Sequence, residues 1–89
     1  MNRTVMNKKA RQKIAVIAEE HGLDRCELCG STFGMAPAHR HPRRFYNTAE
    51  ELSDFNEWLA LCVECHTRMD DRSLTSEAEK EDIFNSLRP

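Results

Sequence analysis

Four cysteines, three of the four histidines and a cluster of arginines carry the chemistry this sequence can do. The cysteines form two pairs of equal spacing, Cys26 and Cys29 in "CELC", Cys62 and Cys65 in "CVEC". Two residues between thiols let a tight turn aim both sulfurs at one ion. Two such turns complete a tetrahedral S₄ shell, the preferred setting of Zn²⁺. Thirty-two residues separate the pairs, more than the usual zinc-finger spacer, which leaves room for a functional insert between the two jaws. Paired disulfides would need an oxidising compartment, and a redox C-x-x-C would need a surrounding βαβ pattern that the chain lacks. Structural Zn²⁺ is therefore expected on Cys26, Cys29, Cys62 and Cys65.

A Cys₄ shell is closed, so His39, His41 and His66 are not needed to complete it. His66 follows Cys65 directly, and Asp70 lies four residues on, on the same face of a helix. An imidazole and a carboxylate so placed can hold a divalent cation at two points, leaving positions for water and a phosphate oxygen. The insert contains "AHRHPRR", which crowds His39, Arg40, His41, Arg43 and Arg44 together. Zinc ties both jaws to one small body, so this segment must fold back across it, opposite His66 and Asp70. His21 fits the default for a lone histidine, a polar surface residue.

Taken together, "CELC", "AHRHPRR" and "LCVECHTRMD" resemble the zinc-stapled members of the HNH endonuclease family, in particular small phage-type proteins. The resemblance runs from about Cys26 to Asp70. It implies an α+β fold: a zinc-stapled ββα-metal (His-Me finger) core with flanking N- and C-terminal helices. It also implies a metal-dependent endonuclease that nicks or cleaves DNA. By the same resemblance His39 activates water, His66 is a metal ligand and Asp70 is a further ligand one helical turn later. Two positions depart from the family pattern. Ala38 stands where many members carry a metal ligand, and Glu57 stands where the loop-steadying Asn belongs, with Asn56 one residue away and able to serve. His41 would supply the ligand missing at Ala38, since a spacing of two from His39 puts both on one side of a strand.

The mechanism implied is hydrolytic. A histidine with a pKa near 6.5 is largely neutral at pH 7, so His39 can accept a proton from water. Mg²⁺, Mn²⁺ or a similar ion on His66 and Asp70 would act as a Lewis acid at the phosphate. Arg40, Arg43 and Arg44 would grip flanking phosphates, each contact adding nearly one unit to the salt slope of binding.

Few elements are available to position these groups. Eighty-nine residues make a single domain, and a chain this short buries only about 60–65% of its unfolded surface, so a metal staple is physically useful. "NKKARQKIAVIAEEH" reads as a helix over 7–21, with Gly22 as its C-terminal cap. Pro37 and Pro42 make 35–46 extended chain and loop. Thr48 and Glu51 have capping-box spacing, which starts a short helix running from Ala49 to about Asn56. "EWLAL" is either its continuation or a strand. Ser76 and Glu79 form a second capping box before a final helix over 76–87.

The net charge of −2 conceals an asymmetry: residues 1–46 carry +5 and residues 47–89 carry −7. A basic face for a polyanion and an acidic face turned elsewhere would satisfy this pattern, as would an ordinary solvated surface. No apolar run is long enough to span a bilayer and no secretory signal is visible, so a cytoplasmic protein acting on DNA is expected. Two other classes fit the same residues. A catalytically inactive zinc module would keep the Cys₄ frame and the arginines while binding nucleic acid or protein. An adaptor would work through its acidic C-terminal half on a protein partner.

Overall fold

A computed structural model describes residues 3–88. The elements are α1 (Arg3–Glu20), β1 (Ala36–His39), α2 (Ala49–Ser53), β2 (Trp58–Leu61), α3 (Val63–Asp70) and α4 (Glu77–Leu87). Short 3₁₀ turns occupy Arg43–Phe45 and Phe55–Glu57. The two strands make one antiparallel sheet in which Ala36 pairs with Leu61 and His39 with Trp58. The chain is thus a small α+β fold with a four-cysteine cluster.

α1 begins four residues earlier than the helical pattern predicts, at Arg3 instead of Asn7. Tertiary contacts explain the extension. Met6 and Ala10 are buried against Tyr46, Ala49 and Leu52, and the Arg3 guanidinium donates to the carbonyls of Arg43 and Tyr46 at 2.9 and 3.3 Å. The helix ends at Glu20, and Gly22 takes the left-handed φ of +68° expected of a C-terminal cap.

Both helix caps form: the hydroxyls of Thr48 and Ser76 accept the N–H groups of Glu51 and Glu79 and donate to the carboxylates of the same residues. α2 stops at Ser53, short of Asn56, because Asp54 leaves helical geometry and its carboxylate accepts the Asn56 N–H of the next turn. "WLAL" is a strand, and all four of its residues are buried. Leu59 and Leu61 pack with Ala38, Met69 and Phe84, while Trp58 and Ala60 pack with Ile14 of α1. A strand covered on both faces shows no polar alternation, which is why its pattern is ambiguous in sequence. Pro37 lies in β1 without breaking it because β1 is an edge strand. Among the described residues, no helix is long and apolar enough to cross a membrane.

Candidate metal centre and histidine groove

The first cysteine pair sits in the turn closed by Gly30, whose N–H donates to the Cys26 carbonyl at 3.0 Å. Cys62 is the N-cap of α3, and Cys65 lies in its first turn. Folding brings the four sulfurs within 4.8 Å of one another, with Cys29 and Cys62 only 3.5 Å apart. An ion bound tetrahedrally at about 2.3 Å from each sulfur places the sulfurs about 3.8 Å apart, so the cluster fits Zn²⁺. The thiols are free and unequal. Burial works to raise Cys26, but the backbone N–H groups of Cys62, Cys29 and Leu28 outweigh it and hold this thiol at about 6. Burial raises Cys65, and the neighbouring cysteines raise it further. Four thiols gathered this closely repel one another as thiolates, so they ionise together only around a cation.

The approach of the two jaws is close. Gly34 has φ +63°, and a Cβ there would sit 2.9 Å from Cβ of Val63. The Val63 N–H donates to the Phe33 carbonyl at 3.1 Å, so the loop after the first knuckle is bonded to the start of α3.

His39 ends β1 and is half-buried. Its Nε2 lies 2.7 Å from the carbonyl of Leu52 in α2. A carbonyl only accepts, so Nε2 carries the proton and Nδ1 is left as the basic nitrogen. Burial lowers the His39 pKa, and Arg43 and His66 add to the effect, which outweighs the Leu52 bond and the Glu57 charge. The imidazole is therefore held neutral.

His66 is arranged in the same manner. Its Nε2 lies 3.2 Å from the Pro37 carbonyl in β1, and its Nδ1 lies 3.0 Å from the Asp70 carboxylate. That separation is a hydrogen bond when Nδ1 is protonated. It is also about the edge of an octahedron around an ion with ligands at about 2.1 Å. A metal-binding imidazole is commonly oriented by donating its other N–H to a backbone carbonyl, as Nε2 does here. The donor chemistry of His66 and Asp70 therefore fits a divalent ion.

His39, His66 and Asp70 line one groove of about 810 Å³, together with His41, Arg43 and Arg44. His41 does not join His66 and Asp70. β1 ends at His39, so the strand geometry that would align the two histidines stops short of His41. Its ring instead lies 5.5 Å from Phe45 and 6.5 Å from Tyr46. Among the described residues, the four cysteines are the only group of three or more His, Cys, Asp or Glu side chains gathered for one ion. Ala38 is buried against Leu59 and Met69 and supplies no donor.

The arginines divide. Arg40 is held in the fold: it donates to the Asn56 carbonyl at 3.0 Å and to Asn85 at 3.3 Å, and its guanidinium lies 4.7 Å over the Phe84 ring. Arg43 and Arg44 are exposed. Asn56 meets Arg40 through its main chain. The two charged halves of the sequence do not form separate faces, because Glu77 and Glu81 of α4 line the same groove as Arg43 and Arg44. Sequence reasoning missed the Leu52 carbonyl, Tyr46 and the part played by Glu57. A main-chain acceptor leaves no trace in residue identity, and a lone tyrosine carries no motif.

Compared with known proteins, the chain matches no family model, no curated protein and no solved structure.

Proposed function

We propose that this protein is a metal-dependent DNA endonuclease of the HNH type, with β1, β2 and α3 as its ββα-metal core. One observation carries the reading: a single groove contains His39, whose Nε2 is bonded to the Leu52 carbonyl, and an imidazole–carboxylate pair, His66 and Asp70. His39 accepts a proton from water at Nδ1, and the water oxygen then attacks phosphorus as the 3′ oxygen departs. The Leu52 carbonyl holds the imidazole in the tautomer this step requires and stabilises the imidazolium that results. A divalent ion such as Mg²⁺ or Mn²⁺, held by His66 and Asp70, would supply Lewis-acid neutralisation of charge at the scissile phosphate. Arg43 and Arg44, exposed at the groove, serve flanking phosphates; Arg40 serves mainly to shape the loop. The S₄ zinc holds the two halves of the groove together.

A specific observation favours a second reading, an inactive zinc module that binds nucleic acid or a protein partner. Glu77 and Glu81 face the groove, and among the described residues no third donor gathers with His66 and Asp70. Plasmid nicking in Mg²⁺, Mn²⁺ and Ni²⁺ separates the two. The endonuclease nicks, and His39→Ala does not while retaining its zinc. Retardation of DNA without nicking in any of the three ions would leave the inactive module. No DNA binding even at low salt, where phosphate contacts are strongest, would leave the protein-binding adaptor.

A further inference from the structure

We infer that Glu57 and Tyr46 are positioning residues for the loop that carries His39, a step that rests on His39 being the general base. The chain leaves β1 at His39 and is caught at each of the next two residues. The Arg40 N–H donates to the Glu57 main-chain carbonyl at 2.8 Å. The His41 N–H donates to the Tyr46 hydroxyl at 3.2 Å, and that hydroxyl donates to the Glu57 carboxylate at 3.0 Å. Glu57 thus grips the loop twice, once through its backbone and once through a phenol.

The relay is rigid. Tyr46 is only 4% exposed and packs among Met6, Ala10, Ala49 and Leu52. Its ring centroid lies 5.4 Å from that of His39, so it also limits how far the imidazole can swing. Arg40 Nε lies 3.5 Å from the second carboxylate oxygen of Glu57, which fixes the carboxylate's rotation. A hydroxyl that accepts one bond and donates another is polarised along the chain, so the two bonds reinforce each other. Burial, reinforced by the Glu57 carboxylate, pushes the Tyr46 phenol above its ordinary range and keeps it a donor. Asn56 takes no such part, since it meets Arg40 by its main chain.

The test uses zinc-loaded wild type, Tyr46→Phe, Glu57→Ala and Glu57→Gln. Amide exchange at His41 and the ¹⁵N spectrum of the His39 ring are measured first. Tyr46→Phe and Glu57→Ala should speed His41 exchange about fivefold to tenfold, the effect of one lost hydrogen bond. Both should also convert His39 from a single Nε2–H tautomer to a mixture. In nicking assays they should lower kcat on the order of 10²-fold with KM unchanged, as expected when a reacting group is misplaced. Glu57→Gln keeps an oxygen that accepts from Tyr46 and should restore most of the rate and the single tautomer. Unchanged exchange and tautomer in Tyr46→Phe and Glu57→Ala would overturn the inference whether or not the protein nicks DNA. Absence of nicking by wild type, with both NMR effects present, would remove the endonuclease reading and leave the positioning intact.

Discussion

Arg88 and Glu27 form a buried ion pair that ties the residue after α4 to the first cysteine knuckle. The guanidinium meets the two carboxylate oxygens at 2.7 and 2.8 Å, with side chains 3% and 9% exposed. Arg88 also donates to the Phe55 carbonyl at 2.8 Å and stacks 3.8 Å over the Phe55 ring. Glu27 accepts the Ala60 N–H of β2 as well. Every polar partner is satisfied, so neither charge is stranded. Removing one partner strands the other, and Arg88→Ala or Glu27→Ala should cost about 3–5 kcal/mol in chemical denaturation. A loss below about 1 kcal/mol would show that water reaches the pair.

Purified protein should contain about one zinc per chain by elemental analysis. Cys29→Ser or Cys65→Ser should lose the metal and the cooperative unfolding transition together, because metal binding and folding are linked in so small a domain. Metal-free protein with unchanged circular dichroism and Tm would refute the S₄ staple.

The pH dependence follows from the burial of His39. Its folded pKa lies below the ordinary histidine value of 6.5. As pH falls through 6.5 the unfolded chain protonates first, so stability contributed by neutral His39 is complete above that value and lost below it. Nicking should decline with unit slope on the acid side, with its midpoint below 6.5. A midpoint above 6.5 would mean that the base is another group or an exposed histidine.

The cysteine cluster and the proposed ion at His66 and Asp70 should separate genetically. His66→Ala removes the bond to Pro37, costs about 1 kcal/mol and leaves the zinc in place. Titration calorimetry should show Mn²⁺ binding abolished in His66→Ala and retained in His39→Ala, with nicking lost in both. Release of zinc by His66→Ala would make His66 a structural ligand.

Arg43 and Arg44 are read as phosphate contacts. Changing both to Ala should weaken binding to all DNA sequences alike and flatten the plot of log K against log salt by about two units. An unaltered slope would return them to the solvated surface. Arg40→Ala should instead destabilise the fold, since its guanidinium is bonded to Asn56 and Asn85 and packed on Phe84.

The four-cysteine cluster was legible in sequence because two equal cysteine spacings admit few geometries. The helix caps at Thr48 and Ser76 were legible because their bonds are local. The groove was harder to read. Arg40 looks like Arg43 and Arg44 in a charge pattern, yet Phe84 and Asn85, more than forty residues away, decide that its guanidinium is pinned to the fold at the groove wall. Nothing in the sequence pattern around Glu57 points to Tyr46, whose hydroxyl donates to its carboxylate. β2 carries no alternation because α1 covers one of its faces and α3 and α4 the other.

Both histidines of the groove are aimed by main-chain oxygens, those of Leu52 and Pro37. This makes the aiming mutationally silent. Any residue that keeps the backbone path at 52 or 37 presents the same carbonyl, so the identity of the side chain does not enter the aiming itself; position 37 can drift, while position 52 is held apolar by its burial beside Met6 and Tyr46. What drift cannot touch is the path itself, which depends on Thr48 capping α2 and on the strand register that sets Pro37 opposite Ala60. Proteins with the same arrangement need not share a residue at either aiming position. They would be recognised by superposing an imidazole on a carbonyl, not by aligning letters.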